Sequence, residues 1–242
     1  MRLFLDFFYL LGLLITWPWW LFKMATTGKY RRGLRQRMGA IAAQVGDSPL
    51  VWVHAVSVGE LQAARPLVNA LRQKHPEARI VISHTTRTGE DVAAQLYPDL
   101  YRFYNPLDLS FIVRRVFNRL KPSLIVLIEL ELWPNLLIEA KRRGCPVFLA
   151  NGRISERSAA GYGRNAWFFR GPFSALTLAA VQNGEYFGRL RTLFERMKLD
   201  VSLIHIGGNI KYDNIPVEMD TGLREFYRKL FGFGLDENRS EE

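Results

Sequence analysis

A long apolar stretch opens the chain. Residues 3–22 contain one charged side chain, Asp6, and a run of this length matches the roughly 30 Å hydrocarbon core of a bilayer. No small-residue cleavage site follows, which disfavours a secretory signal peptide. We expect residues 1–24 to form a membrane anchor, either as a spanning helix or, because of Pro18, as a helix in the interface. Three tryptophans near its end suit an interfacial aromatic belt: Trp17, Trp19 and Trp20.

The charged residues of the segment that follows the anchor, residues 25–49, are mostly basic. Only Arg2 and the amino terminus carry positive charge on the other flank, so the positive-inside rule places the body of the protein in the cytoplasm. Near an anionic membrane surface each such cation contributes about 1 kcal/mol, and anionic lipids are therefore an expected partner. The cations after the apolar stretch are Lys23, Lys29, Arg31, Arg32, Arg35 and Arg37.

From residue 50 onward, short apolar runs alternate with amphipathic segments. This alternation favours an α/β fold built on a Rossmann-like, doubly wound parallel sheet. The predicted strands cover 50–54, 79–84, 100–103, 123–128, 146–150, 175–181 and 203–206. The predicted helices cover 59–74, 88–96, 108–120, 134–143, 156–170, 184–197 and 219–230.

Composition narrows the class of protein. Hydrophobic residues make up 48% of the chain, which is ample for a core. The single cysteine, Cys145, excludes an intramolecular disulfide and is expected to be packed and reduced. The net charge of +10 predicts an anionic partner. Charge alone fits nucleic acid and an anionic membrane equally well, but the anchor and the lack of a nucleic-acid-binding motif favour the membrane.

Residues 54–60, His-Ala-Val-Ser-Val-Gly-Glu, carry the strongest functional signal. They follow a predicted buried strand and precede a predicted helix. Glu60 thus lies at a helix N-terminus and at the carboxyl end of a strand, where open α/β sheets bind ligands. A carboxylate there either complements the helix dipole or acts on a substrate, and the spacing leaves both roles open.

Four motifs, in order along the chain, resemble those of the Kdo (3-deoxy-D-manno-octulosonic acid) transferases. Residues 54–60 resemble the family signature His-Ala-x-Ser-x-Gly-Glu. Residues 129–135, Glu-Leu-Glu-Leu-Trp-Pro-Asn, resemble its Glu-x-Glu-x-Trp-Pro-Asn motif. Residues 151–158 resemble its Asn-x-Arg-x-Ser segment, and residues 208–213 resemble the stretch that closes its N-terminal domain. The resemblance covers roughly residues 1–215.

The resemblance implies an architecture, a reaction and a location. Kdo transferases are GT-B glycosyltransferases, with two Rossmann-like domains that face each other across a cleft. Residues 50–215 would form the acceptor-side domain, and residues 216–242 a linker and the truncated start of the donor domain. The family transfers Kdo from CMP-Kdo to a lipid A precursor at the bacterial inner membrane, with inversion and without a metal or cofactor. Without the donor domain, this chain alone would be inactive.

The resemblance also assigns roles around the first strand. Glu60 would be the base that takes the proton of the acceptor hydroxyl, and Gly59 would let the acceptor approach the backbone. Ser57 would face the acceptor or stabilise the turn, and His54 would orient the turn or be a core histidine. The loop after the second strand would either hold an acceptor phosphate or cap a helix beside a solvated arginine. Its residues are Thr85, Thr86 and Arg87.

Two carboxylates follow the fourth predicted strand. Glu129 and Glu131 alternate out of it and are expected to face one side. There they would bind sugar hydroxyls or pair with Arg153, and Arg153 would otherwise contact the anionic acceptor. The family has threonines where Ile128 and Leu130 stand here, so any role of those hydroxyls is lost.

The ends of the later strands complete the expected site. Asn151, after the fifth strand, is expected on the ligand side. The glycines before Asn209 would allow a backbone nest that holds an anion, and Asn209 and Lys211 are expected near the donor.

Other functions fit the same patterns. A GT-B glycosyltransferase acting on another lipid would share the anchor, the basic segment and the sheet. A truncated paralogue would instead bind lipid, or associate with a separate donor domain, without catalysing transfer. Acceptor assays separate the first of these from a Kdo transferase, and any activity at all excludes the second.

Overall fold

The computed structural model describes residues 2–27 and 31–214. Its strands are β1 Leu50–His54, β2 Arg79–His84, β3 Tyr101–Tyr104, β4 Leu124–Ile128, β5 Val147–Gly152, β6 Leu176–Val181 and β7 Ile204–Ile206. They form one parallel sheet in the order β3-β2-β1-β4-β5-β6-β7. The predicted Rossmann-like α/β fold is thereby confirmed.

Helices connect the strands, mostly where the amphipathic pattern predicts them. They are α1 Arg2–Thr27, α2 Leu34–Arg37, α3 Val58–Lys74, α4 Arg87–Leu96, α5 Ser110–Leu120, α6 Pro134–Arg142, α7 Glu156–Arg164, α8 Ala166–Phe173 and α9 Gly184–Met197. Two short 3-10 helices, Val201–Leu203 and Tyr212–Asn214, flank β7.

The sequence prediction differs from the structure at two helices. The single helix predicted over 156–170 is two helices, because the backbone of Asn165 leaves the helical conformation and its side-chain amide donates to the carbonyl of Gly161 at 3.2 Å. The short helix α2 is not predicted at all. The helix predicted over 219–230, and the linker and second-domain segment over 216–242, lie outside the described residues.

Alternate residues of the central strands build two cores, one on each face of the sheet. Trp52 and Ile125 pack against α5 and α6, whereas Val51 and Val126 pack against α3 and α4. Burial on both faces explains why these strands are almost continuously apolar. Cys145 is buried in the first of these cores.

The strand order reverses between β1 and β4. The chain leaves β1 toward β2 on one side, and β4 then pairs with the other side of β1. The connections after β1 and β4 therefore run to opposite faces of the sheet, which opens a crevice at the carboxyl ends of these two strands. The motifs at 54–60 and 129–135 both begin at this crevice.

Helix α1 continues three residues past the predicted anchor boundary at residue 24. Its segment Phe4–Thr27 is long and apolar enough to cross a membrane, and an 18-residue window within it has a mean hydropathy of 1.4. A signal sequence meets the same criteria, so length and composition alone are weak evidence of membrane association. Its large apolar side chains, among them Phe8, Leu14 and Trp17, are exposed rather than packed on the domain.

Polar contacts dock the start of α1 on the sheet domain. The carboxylate of Asp6 is buried and accepts hydrogen bonds from the backbone N–H of Ser110 at 2.8 Å, from the Ser110 hydroxyl, and from Nδ2 of Asn135 at 3.1 Å. Asp108 beside it accepts from two backbone N–H groups at the start of α6, and from the hydroxyl of Tyr9 at 3.4 Å. The one charge of the apolar stretch thus holds the helix against the domain.

Candidate active site

Glu60 lies in the first turn of α3, at the crevice between β1 and β4. The hydroxyl of Ser57, the N-cap residue, accepts a hydrogen bond from the backbone N–H of Glu60 at 3.3 Å and donates to Oε1 of Glu60 at 2.8 Å. Oε2 accepts from the backbone N–H of Val56 at 2.7 Å. This Ser-x-x-Glu arrangement is a capping box, and it holds the carboxylate in one orientation at the carboxyl end of β1.

The surroundings of Glu60 change its acidity. The residue is 7% exposed, and this burial raises the pKa of its carboxyl above the usual range of glutamate. The nearby charge of Glu129 also raises this pKa, whereas the hydrogen bonds from Val56 and Ser57 oppose the shift. A raised pKa makes the ionised carboxylate a better proton acceptor. The structure thus shows Glu60 in the helix cap, and this geometry is compatible with the role of a base, which stays a prediction.

Three carboxylates converge at the crevice. Burial, followed by the charges of Glu60 and Glu129, raises the pKa of Glu131. Glu129 has a left-handed backbone with φ of +62°, so the chain turns sharply as it leaves β4. The sequence prediction placed Glu129 and Glu131 on one side because side chains alternate along a strand. In the structure β4 ends at Ile128, and the turn at Glu129 brings the two carboxylates together instead.

Lys211 approaches the acidic cluster from the segment after β7. Its Nζ lies 3.4 Å from Oε1 of Glu129. The buried side chain of Asn151 accepts a hydrogen bond from the backbone N–H of Ile210 at 3.3 Å. The side chain of Asn209 accepts a hydrogen bond from the backbone N–H of Lys211 at 3.1 Å. The candidates expected near the donor therefore lie at the same crevice as Glu60.

Arg153 does not form the ion pair with Glu131 that the sequence suggested. Within residues 31–214 no acidic side chain is ion-paired with Arg153, which is exposed. The cation beside the carboxylates is Lys211 instead, because the segment after β7 returns to the crevice. This return depends on the position of β7 in the sheet, which the spacing of motifs does not reveal.

The loop after β2 supports the loop after β1. The hydroxyl of Thr85 donates to the carbonyl of Val56 at 3.0 Å, and the Thr85 carbonyl accepts from Arg37. Thr86 caps α4 by accepting from the backbone N–H of Gly89 at 2.9 Å. Arg87 is exposed. These contacts match the helix-cap alternative, and acceptor binding by this loop stays a prediction.

His54 is a core histidine. Its Nδ1 lies 2.8 Å from the hydroxyl of Ser83, and its ring packs edge-on against Trp133 with centroids 5.9 Å apart. Burial lowers the pKa of His54 to about 4, so the ring is neutral at physiological pH. Its contacts tie the end of β1 to β2, which positions the turn that leads to Glu60.

A cleft of about 490 Å³ lies beside the first turns of α3. Gly59 lines it, and a Cβ on Gly59 would meet no atom within 4 Å, so the backbone there is open to a ligand. Gln62 and Arg65 also line the cleft and were missed from the sequence. The sequence pattern could have indicated them, because both are polar residues that follow Glu60 on the outward face of the predicted helix. In the part of the chain that the structure describes, no three His, Cys, Asp or Glu residues could hold a metal ion.

Replacing Ser57 with alanine should move the pH dependence of activity. The Ser57 hydroxyl stabilises the ionised form of Glu60, so its loss raises the pKa of Glu60 further. Activity that requires ionised Glu60 should then begin to fall at a higher pH as the solution is acidified. The lost cap should also destabilise the fold by about 1 kcal/mol. A pH profile of kcat/KM and a denaturant titration measure the two effects.

Asn183→Ala is the matched control for this cap. Asn183 caps α9 by accepting from the backbone N–H of Tyr186 at 3.0 Å, far along the chain from Glu60. The control should lose similar stability and leave the acidic limb of the profile in place. If the acidic limb of the pH profile of Ser57→Ala were in the same place as that of wild type, the Ser57 hydroxyl would not influence the pKa of Glu60.

Known proteins are similar to this chain in sequence or in fold. A family model described as 3-deoxy-D-manno-octulosonic-acid transferase (kdotransferase) matches residues 32–214. The 3-deoxy-D-manno-octulosonic acid transferase of Chlamydia trachomatis serovar D is 33% identical over 226 residues, which cover 92% of this chain and 51% of that protein. The enzyme of that name from Haemophilus influenzae is 37% identical over 188 residues, which cover 76% of this chain and 43% of that protein. The chain thus spans about half the length of these relatives.

Among solved structures, a crystal structure of UDP-N-acetylglucosamine 2-epimerase is similar with a TM-score of 0.51 and 13% identity, over 75% of this chain and 53% of that one. At this identity the likeness shows a shared fold alone. The family match covers most of the chain, and all four sequence motifs lie within it. Three of these motifs supply the carboxylates and the lysine that meet at the crevice. The chain belongs to the family of 3-deoxy-D-manno-octulosonic acid transferases.

Proposed function

We propose that this chain is the acceptor-side portion of a glycosyltransferase that moves Kdo from CMP-Kdo to a lipid A precursor. The observation that carries this proposal is the Glu60 carboxylate, buried and oriented at the topological switch point of the sheet. Membership of the family supports the identification of Kdo as the sugar that is transferred. The donor-binding half is proposed to come from residues beyond 215.

In the proposed reaction Glu60 acts as the general base. It takes the proton from the acceptor hydroxyl while the hydroxyl oxygen forms a bond to the anomeric carbon of Kdo. The bond from that carbon to the CMP phosphate breaks, and CMP leaves with the bonding electrons. Attack on the face opposite the leaving group inverts the configuration at this carbon.

Charge around the cleft supports an anionic acceptor. Arg65 and Lys211 line the cleft beside Gly59, and lipid A precursors carry phosphate groups that such cations attract. The three carboxylates lie on the crevice side and suit sugar hydroxyls, which donate hydrogen bonds to them. The cations of the cleft and the carboxylates at the adjoining crevice together therefore offer groups for both ends of a phosphorylated sugar.

The contacts of α1 support a place for the protein at the membrane. Residues 31–37 are held on the sheet domain, since Arg37 donates to the carbonyl of Thr85, and Asp6 at the other end of α1 contacts the same domain. An orientation that carried Asp6 across a bilayer would break these bonds. We therefore favour α1 lying in the cytoplasmic interface of the inner membrane, where its exposed apolar residues meet lipid.

The test is transfer of Kdo from CMP-Kdo to a tetraacylated lipid A precursor in detergent. It is run on the 242-residue chain and on any longer product of its reading frame. Transfer by the longer protein alone supports the proposal and makes this chain an acceptor half. Transfer by the 242-residue chain on its own would support its role in Kdo transfer but overturn the proposal that the donor half comes from residues beyond 215. If neither protein transfers Kdo although both are folded, the proposal is wrong.

A further inference from the structure

A second cavity, of about 670 Å³, lies at the edge strand β3, two strands away from β1. It is formed where the basic segment after α1 crosses β3 and the start of α4. The charged and polar side chains that line it are Arg31, Arg32, Arg35, Glu90, Arg102 and Tyr104. None of them belongs to the site around Glu60.

The basic segment is built into the domain at this cavity. Gly33 has a left-handed backbone with φ of +72°, and a Cβ there would overlap the ring of Tyr104, so only glycine allows this close approach. The side-chain oxygen of Gln36 accepts a hydrogen bond from the backbone N–H of Tyr104 at 2.9 Å. The backbone of Arg37 accepts from that of Leu107 at 2.9 Å. The arginines of this segment are therefore presented at a defined place.

Positive charge exceeds negative charge in the cavity. Within the described residues no ion pair involves Arg31, Arg32 or Arg35. The only carboxylate among the lining side chains just named is Glu90, which lies 2.5 Å from Nε2 of His84 and 3.8 Å from Nε of Arg102. Four arginines against one carboxylate leave a surplus of three positive charges.

Two buried polar atoms of the lining residues have no hydrogen-bond partner among the described residues. They are Nε of Arg102 and the hydroxyl of Tyr104. The other side of the Arg102 guanidinium is engaged, because Nη1 donates to the carbonyls of Tyr97 at 2.8 Å and Leu100 at 3.1 Å. Its orientation is thus set while one donor is left over. Buried polar groups without partners are rare and indicate a ligand or water at the site.

We propose that this cavity binds a phosphate group carried by a monoester or diester. Phosphate supplies several acceptor oxygens within one small group, which matches arginine N–H groups and a tyrosine hydroxyl. Because the basic segment that lines the cavity follows the apolar helix α1 in the chain, the phosphate comes either from a membrane lipid headgroup or from a soluble ester. The site is independent of the chemistry at Glu60.

Binding is measured on the full chain in nonionic detergent. One arm titrates inorganic phosphate, and the other titrates micelles doped with phosphatidic acid, both by isothermal calorimetry. The double variant Arg32→Gln, Arg35→Gln should weaken binding about tenfold, since each exposed charged contact contributes modestly. Tyr104→Phe keeps the ring against Gly33 but removes the hydroxyl, and should weaken binding about threefold.

Two further variants test whether binding depends on the charge of the cavity and whether it is confined to this cavity. Glu90→Gln removes the carboxylate and should tighten binding, which a merely structural role would not produce. The double variant Arg157→Gln, Arg164→Gln removes two exposed cations from α7, which follows β5, and should leave binding unchanged. Thermal unfolding of each variant shows whether it is folded.

The two arms separate the sources of the phosphate. Saturable binding of inorganic phosphate with these variant effects supports a pocket open to soluble esters, and binding only to doped micelles supports a lipid headgroup. Equal losses in the two double variants would show general charge attraction and overturn the proposal. So would the absence of binding to folded wild type in both arms. Neither arm measures Kdo transfer, so failure here leaves the role of Glu60 standing, and the reverse holds.

Discussion

Glu60→Gln should lower the kcat of Kdo transfer by about 10²–10⁴-fold, the usual contribution of a positioned general base. Glutamine keeps the size of the side chain and an acceptor oxygen, but it cannot take a proton. The carboxylate of Glu60 is already oriented by Val56 and Ser57, and the substitution removes the group that is held in this orientation. The measurement is the rate of transfer from CMP-Kdo at saturating acceptor, in whichever protein is active.

This substitution also separates catalysis from helix capping. Glutamine occupies the third position of a capping box almost as well as glutamate, so the free energy of unfolding should change by less than about 1 kcal/mol. Glu185→Gln is the matched control, because Glu185 lies in the first turn of α9 and is exposed. It should leave transfer unchanged. Activity of Glu60→Gln near that of wild type would leave the carboxylate with the capping role alone.

Trp52→Ala should cost about 3–5 kcal/mol in the free energy of unfolding, the usual cost of removing a large buried aromatic side chain. Trp52 is 0% exposed, with its ring centroid 5.6 Å from that of Phe103 and 5.9 Å from that of Phe117. Its Nε1 donates to the hydroxyl of Ser83 at 2.7 Å. Denaturant unfolding of the detergent-solubilised chain, followed by near-ultraviolet circular dichroism, gives the free energy.

Two variants calibrate the loss at Trp52. Trp52→Phe keeps most of the packing but removes the donor to Ser83, and should cost about 1–2 kcal/mol. Trp167 is 76% exposed, so Trp167→Ala should change stability by less than about 0.5 kcal/mol. If Trp52→Ala were as mild as Trp167→Ala, β1 would not be the centre of the core. Since Ser83 also contacts His54, both Trp52 variants should disturb the turn before Glu60.

Much of the fold was predictable because it rests on local patterns. Strand β1 and helix α9 begin and end where the hydrophobic periodicity predicts. The failure at Asn165 has a local cause, since a single polar side chain bonds the preceding turn and divides a helix whose apolar pattern is continuous. Periodicity reports which face of a segment is buried, and it does not report such interruptions.

The candidate site was predictable in part. A strand, a Ser-x-x-Glu turn and a helix placed Glu60 at a ligand-binding edge, since the capping box is written in consecutive residues. Its neighbours depend on contacts between distant segments. Lys211, not Arg153, lies beside Glu129, because β7 joins the far edge of the sheet and the chain then returns across the carboxyl ends.

The identity of the family, the order of strands and helices, and the position of Glu60 at a helix start all follow from residues close together in the chain. Three features follow only from folding: the convergence of Glu60, Glu129 and Glu131, the docking of Asp6 on α5 and α6, and the cavity beside β3. Each joins segments far apart in the chain, and the register and order of the sheet determine which of them meet. Local periodicity carries no information about that order.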